Sequence, residues 1–118
     1  MARRRPGPKL PAAIFIAEDR QKAYAVLERS TRAEDRQLFA QLQKAIGTLK
    51  EDVFAGIQIP RDRIPAEYHR RFPNLESLWK TNLTRNWRLI YSVAGEGGAV
   101  VLVIEWLSHT EYERRFNY

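Results

Sequence analysis

Residues Leu78–Tyr91 constrain the fold most, because they predict two short strands joined by a polar turn. The first strand is expected near Leu75–Leu83. The second, Trp87–Val93, is rich in the aromatic and β-branched residues that favour strands. Two strands this close in sequence predict an antiparallel pair within a larger sheet, because an isolated hairpin is barely stable in water.

Basic side chains recur along this predicted hairpin. Since successive side chains of a strand point to opposite faces, Lys80, Asn82 and Arg88 are expected to share one face, with Arg85 at the turn. Two interpretations remain open. The spacing alone favours a solvated sheet face beside an aromatic core, whereas cations on a rigid sheet with aromatic residues nearby are also one way to hold a phosphodiester.

The net charge is concentrated in two parts of the sequence. The chain has 118 residues, which predicts one domain, and its 44% hydrophobic and 29% charged residues are typical of a globular protein. Four of its charges, which sum to +6, lie in the first eleven residues, and the segment Arg61–Tyr91 has seven basic residues against three acidic ones. Such clustering favours a polyanionic partner with salt-dependent affinity.

Several kinds of protein are disfavoured by the sequence. There is no cysteine, so disulfides and thiolate chemistry are excluded, and this fits the reducing cytoplasm that we predict. No apolar run approaches the ~20 residues of a membrane span, and the basic N-terminus lacks the apolar core of a secretory signal. With two histidines forty residues apart and no phosphate-binding glycine motif, we expect no metal, no cofactor and no membrane partner.

The element order predicts an α+β fold. Besides the hairpin we predict, in chain order, a strand over Ala13–Ile16, a helix over Glu18–Glu28, a longer helix ending near Leu49, connecting chain over Val53–Pro60, a strand over Ala99–Leu107 and a short helix capped by Ser108. The last three strands should form an antiparallel meander, with the helical hairpin on one face and the cations on the other, partly open face. Residues 1–11 are predicted to be a flexible basic arm, and residues 12–118 one domain.

The start of the longer helix carries a second local prediction. Thr31 is followed three residues later by Glu34, which is the spacing of a capping box. We therefore expect the Thr31 side chain to accept a hydrogen bond from the first helical turn.

Five short motifs resemble the RelE/ParE superfamily of toxins from type II toxin–antitoxin systems. They are Gly56–Pro60 (GIQIP), Ile64–Tyr68 (IPAEY), Leu78–Lys80 (LWK), Trp87–Tyr91 (WRLIY) and His109–Arg115 (HTEYERR). The resemblance implies a microbial ribonuclease-like sheet. It also implies a toxin that enters the ribosomal A site and cuts messenger RNA by attack of the 2′-hydroxyl without a metal. The implied partners are a cognate antitoxin, the ribosome and messenger RNA.

The resemblance also assigns roles to residues of this chain. Arg88 corresponds to an arginine that grips the scissile phosphate, and Lys80 to a lysine that contacts the substrate or serves as base. His109 corresponds to a catalytic arginine or histidine, and Tyr112 to a C-terminal tyrosine, with Tyr118 as the weaker match. Residues expected to contact RNA are Arg85, Asn82, Arg61, Arg63, Arg114 and Arg115.

Three alternatives stay open at this stage. Asn82 stands where some RelE-like toxins have a second lysine, so the cation cluster is thinner here. His109 is also interpretable as a helix cap and Tyr112 as a packing residue. The whole chain is also compatible with the ParE branch, which shares the fold, inhibits DNA gyrase and lacks the nuclease residues, or with a non-catalytic RNA-binding module.

Overall fold

A computed structural model describes residues 11–84 and 86–117. The predicted basic arm, apart from Pro11, lies outside the described residues, and so do Arg85 and Tyr118. The elements are β1 Ala13–Ile16, α1 Glu18–Arg29, α2 Ala33–Glu51, β2 Ile57–Gln58, α3 Ala66–Arg71, β3 Trp79–Thr84, β4 Trp87–Ala94, β5 Val100–Ser108 and α4 His109–Phe116. A 3₁₀ turn covers Arg61–Arg63 before α3, and another covers Glu96–Gly98 before β5.

One five-stranded sheet has the order β1-β5-β4-β3-β2. Strands β3, β4 and β5 form the predicted antiparallel meander, while β1 runs parallel to β5. The α+β fold class is therefore confirmed. Two details differ from the prediction: β3 begins only at Trp79, and the two-residue strand β2 adds an edge strand in a region that we had expected to be connecting chain.

The helical hairpin of α1 and α2 covers one face of the sheet, as predicted. Leu38, Leu42 and Leu49 of α2 are buried in a core with Leu89 and Val103 of the sheet. All three tryptophans belong to this side, Trp79 as a buried core residue and Trp87 and Trp106 packed against it. The tryptophans are thus packing residues.

The predicted capping box at Thr31 is wrong. The N-cap of α2 is Arg32, and no side chain caps it. Instead Ser30 Oγ accepts a hydrogen bond from the Arg32 backbone N–H at 3.1 Å and donates one to Asp35 at 2.7 Å. Serine readily bonds to the backbone two residues ahead. That local turn moves the helix start one residue beyond the position that a Thr31 cap requires.

The other sheet face is more covered than the sequence predicted. Helices α3 and α4 pack on it and build a second core, in which Tyr68, Tyr112 and Phe116 meet Ile90 and Ile104 of the sheet. Aromatic side chains of this size bury large apolar areas, so both short helices gain by docking there. Lys80 and Arg88 of the hairpin lie beside this second core, against the Tyr112 ring. Within the described ranges, no helix is both long and apolar enough to cross a bilayer.

Candidate active site

The β3–β4 hairpin brings the predicted cations together. Asn82 is paired directly with Arg88, and Lys80 with Ile90, so all three polar side chains belong to the same sheet face. Gly56, which immediately precedes β2, supports this geometry, because a Cβ at that position would collide with the Lys80 carbonyl oxygen and the Tyr91 hydroxyl. The expectation that Lys80, Asn82 and Arg88 share a face is confirmed.

His109 enters the same region from the start of α4. Its backbone N–H donates to the Asn86 carbonyl oxygen at 2.7 Å, which ties α4 to the turn between β3 and β4. Ser108 is the N-cap and forms a full capping box with Glu111, so the predicted Ser108 cap is confirmed. His109 is accordingly the first residue of the helix and not its cap.

The side chains of Arg88 and His109 are in contact. Arg88 Nη2 lies 3.0 Å from His109 Nδ1. On the other side of the ring, His109 Nε2 lies 3.2 Å from Glu113 Oε2, one helical turn further along α4. Because a guanidinium only donates hydrogen bonds, Nδ1 must accept in this arrangement, and the ring proton belongs on Nε2, where it donates to Glu113.

Both cations of the sheet strands, Lys80 and Arg88, lie against the Tyr112 ring. Lys80 Nζ is 4.8 Å from its centroid and the Arg88 guanidinium carbon 5.9 Å, and both distances lie within cation–π range. Tyr112 is 2% exposed, and its ring stacks on Phe116 at 4.6 Å. Arg88 is held further by a hydrogen bond from Nη1 to the Trp87 carbonyl oxygen at 3.1 Å. Lys80, Arg88, His109 and Tyr112 thus meet at one place.

The other predicted RNA contacts are more dispersed. Arg61 and Arg63 lie exposed on the 3₁₀ turn before α3, Arg114 is exposed on α4, and Asn82 is exposed beside Arg88. Arg85 and Tyr118 lie outside the described residues. The structure therefore gathers the four predicted catalytic residues, while the arginines of the 3₁₀ turn and Arg114 occupy separate surface positions.

Arg115 takes part in a different cluster, centred on Glu105. Its Nη1 donates to Glu105 Oε2 at 2.7 Å and lies 3.3 Å from Glu67. Burial lowers the pKa of Arg115, but the hydrogen bond that Arg115 donates to the Tyr68 hydroxyl oxygen and the charge of Glu105 outweigh this and raise the pKa. The Arg115 side chain is thus engaged within the protein, which the sequence-based assignment to RNA did not anticipate.

Glu105 is the group that sequence reasoning missed. It is fully buried and accepts hydrogen bonds from Arg20 at 3.2 Å, Arg71 at 3.0 Å and the Tyr68 hydroxyl at 2.6 Å, in addition to Arg115. Burial, followed by the hydrogen bond and the charge of Glu105, raises the pKa of Tyr68. A register shift in the β4–β5 pairing, where Ile90 faces Glu105 and Tyr91 faces Val103, adds a residue to β5 just before Glu105.

Glu113, the partner of His109, was also missed, but both Glu105 and Glu113 left a signal in the sequence. Glu105 is the single acid in the apolar run Val100–Leu107, and a buried acid of this kind requires partners. Glu113 follows His109 by four residues, which places both on one face of a helix. Among the described residues, no group of three or more histidines, cysteines or carboxylates is arranged to hold a metal ion.

The chemistry of the site follows from its donors. A guanidinium, an ammonium and an imidazole at one partly exposed position can bind an anion such as a phosphate group. The imidazole can in addition accept a proton at one ring nitrogen and donate one from the other. The arrangement therefore suits anion binding combined with proton transfer.

Comparison with known proteins gives a likeness in structure. No protein-family model matches the chain, and no curated protein matches its sequence. Among solved structures, a YoeB/ParE toxin from Agrobacterium tumefaciens superimposes with a TM-score of 0.56 at 18% sequence identity, over 82% of this chain and 98% of the toxin. The chain therefore has the fold of that toxin, as the sequence motifs predicted.

Proposed function

We propose that this chain is the toxin of a type II toxin–antitoxin pair and that it cleaves messenger RNA on the ribosome. The observation that carries the proposal is the convergence of Arg88, Lys80 and His109 on the Tyr112 ring. The toxin fold and the sequence motifs support the same reading. The antitoxin is the expected inhibitor, and the ribosome and messenger RNA are the expected partners.

The proposed reaction needs no metal ion. The 2′-oxygen of a nucleotide attacks the adjacent phosphorus, the bond from phosphorus to the 5′-oxygen breaks, and a 2′,3′-cyclic phosphate and a 5′-hydroxyl result. The proton of the 2′-hydroxyl passes to a base, and the leaving 5′-oxygen takes a proton from an acid. His109 and Lys80 are the two groups of the cluster that can exchange these protons.

Arg88 has a separate role in this proposal. Negative charge grows on the phosphate oxygens as the fifth bond to phosphorus forms, and preorganised donors stabilise that charge. Its hydrogen bond to the Trp87 carbonyl oxygen and its contact with His109 hold the guanidinium in place before substrate binds. Little reorganisation is then needed in the transition state.

The proposal is tested by induced expression and by single-turnover cleavage on programmed ribosomes. Wild-type protein should arrest growth and cut messenger at the codon in the A site. Arg88→Ala should lower the cleavage rate ~10²–10³-fold and His109→Ala ~10²–10⁴-fold, with ribosome binding nearly retained. Arg88→Lys should recover only part of the loss, because an ammonium lacks the planar fork of a guanidinium.

Arg36→Ala on α2 is the control, because Arg36 is exposed and lies on the opposite side of the sheet from the cluster. It should cut at the wild-type rate. Growth arrest with intact messenger and inhibited gyrase would assign the chain to the ParE type of action instead. Binding to ribosomes without arrest or cleavage would leave an RNA-binding module.

A further inference from the structure

His109 is held from three directions, and its partner on α4 has no role in the reaction described so far. Arg88 approaches Nδ1, Glu113 approaches Nε2, and the Asn86 carbonyl oxygen fixes the backbone of His109. The side chains of His109 and Glu113 are 47% and 49% exposed. An exposed helical pair of this kind adds little to stability, so its value must be sought in what it does to the ring.

We propose that Glu113 is a positioning residue that keeps the proton of His109 on Nε2 and so makes Nδ1 the nitrogen that reacts. The opposite tautomer would turn an N–H of the ring toward the N–H donors of Arg88 and leave Glu113 facing a bare nitrogen. Both changes are unfavourable, and they act in the same direction. The catalytic consequence rests on the proposed function, while the tautomer itself does not.

The position of Nδ1 suits this role. It points to Arg88, the group that would hold the scissile phosphate, so the phosphate and the reacting nitrogen are close from the start. When a phosphate oxygen takes over the Arg88 N–H, the lone pair on Nδ1 is released. His109 then accepts a proton at Nδ1 as base, or returns one from Nδ1 as acid, while the Nε2 proton stays hydrogen-bonded to Glu113.

Glu113 also favours the charged state of the ring during the reaction. When Nδ1 takes a proton, the resulting imidazolium lies beside the Glu113 carboxylate and shares its Nε2–H with it. Arg88 and the N-terminus of α4 act in the opposite direction, because both disfavour positive charge on His109. A carboxylate that orients an imidazole and stabilises its charged form is a recurrent arrangement in acid–base catalysis.

The tautomer can be measured directly on the full-length protein. Long-range ¹H–¹⁵N correlation spectra distinguish a protonated from an unprotonated ring nitrogen, and His109→Gln assigns the His109 signals against those of His69. Well above pH ~6.5, where an ordinary imidazole is neutral, the wild-type ring should carry its proton on Nε2. Glu113→Ala should shift the population toward the Nδ1-protonated form, and Glu113→Gln should keep the wild-type tautomer through its amide oxygen.

Cleavage kinetics give the second readout. Glu113→Ala should lower kcat ~10-fold or more, a part of the ~10²–10⁴-fold that acid–base catalysis supplies, with KM nearly unchanged. Glu113→Gln should lose less than Glu113→Ala. Glu111→Gln is the matched control, because it removes the same charge from the same helix, and glutamine is still compatible with the capping box.

Three results would overturn the role of Glu113. The first is a wild-type ring protonated on Nδ1, and the second is a Glu113→Ala protein with the wild-type tautomer and kcat. The third is an equal loss of kcat in Glu111→Gln, which would assign the effect to charge alone. If wild-type protein leaves RNA intact on the ribosome, the proposed function fails, and the nitrogen spectra alone then decide whether Glu113 positions the ring.

Discussion

Two clusters of basic residues occupy the same face of the sheet, and they differ in what surrounds the cations. In the first, Arg20, Arg71 and Arg115 converge on the buried carboxylate of Glu105. In the second, Lys80 and Arg88 lie against the Tyr112 ring, and Arg88 contacts an imidazole. The first, which we call the closed cluster, surrounds a fully buried acid. The second, which we call the open cluster, reaches the surface at His109.

This difference separates three arginines that connect elements of the fold from Arg88, which lies beside the exposed side chain of His109. The Glu105 cluster connects four elements, because Arg20 belongs to α1, Arg71 to α3, Glu105 to β5 and Arg115 to α4. The shortest of the arginine contacts, from Arg115, is 2.7 Å long and fixes α4 against the sheet. Since α4 also carries His109 and Tyr112, the closed cluster holds in place the helix that completes the open one.

The strongest test of this comparison removes the acid of the closed cluster. Glu105→Ala should lower the free energy of unfolding by ~3–5 kcal/mol, because three arginines would then remain partly buried without their carboxylate. Urea unfolding followed by circular dichroism measures the loss. Cleavage should fall only to the extent that the protein unfolds, in contrast to Arg88→Ala, which should lose activity while remaining stable.

Glu34→Ala is the matched control for Glu105→Ala. Glu34 also pairs with an arginine, Arg32 at 3.7 Å, but its side chain is 88% exposed. Exposed pairs contribute little, so the unfolding midpoint should stay near that of the wild type. An unchanged midpoint in Glu105→Ala would mean that the closed cluster is dispensable for the fold.

The sequence predicted the open cluster better than the closed one, for a physical reason. Lys80 and Arg88 belong to neighbouring strands joined by a short turn, so strand alternation alone predicts their shared face. The partners of Glu105 are separated from it along the chain by up to 85 residues and come from three helices. Such contacts depend on how helices dock, which local patterns do not determine.

Local competition explains the errors at element ends. The capping motif at Thr31 failed because Ser30 offers a rival hydrogen-bonding turn one residue earlier, whereas Ser108 caps α4 as predicted and also forms a capping box with Glu111. The second sheet face was expected to be partly open, but the short helix α3 covers part of it. Tyr68 of α3 is fully buried there, and its hydroxyl donates a hydrogen bond to Glu105.

The aromatic support of the open cluster gives a smaller expected effect. Each cation–π contact is worth ~0.5–1 kcal/mol at a partly exposed site, so losing those of both Lys80 and Arg88 should slow cleavage ~5–30-fold. Tyr112→Leu removes the aromatic ring, while Tyr112→Phe keeps it and removes only the hydroxyl. We therefore expect Tyr112→Leu to be slow and Tyr112→Phe to lie within ~2-fold of wild type in single-turnover assays.

The phenylalanine variant also decides between two roles for Tyr112. If Tyr112→Phe is as slow as Tyr112→Leu while both proteins unfold at similar urea concentrations, the hydroxyl takes part in the reaction. Tyr112 would then be a catalytic residue, as the family resemblance implies. A rate near wild type would instead identify the ring as the support on which Lys80 and Arg88 are positioned.

The last comparison concerns two adjacent arginines of α4, Arg114 and Arg115, which the sequence assigns alike to RNA binding. Arg114 is exposed, whereas the side chain of Arg115 is 24% exposed and binds Glu105. Arg115→Ala should cost stability, ~1.5–3 kcal/mol for a lost hydrogen bond to a charged group, and leave the salt dependence of ribosome binding unchanged. Arg114→Ala should do the reverse, with stability within ~0.5 kcal/mol of wild type and a salt slope reduced by ~1 if it contacts one phosphate.

Urea unfolding and ribosome binding across a potassium chloride series measure both quantities on the same proteins. An equal reduction of the salt slope in the two variants would mean that Arg115 leaves Glu105 to bind RNA, and the distinction between closed and open clusters would not hold for α4.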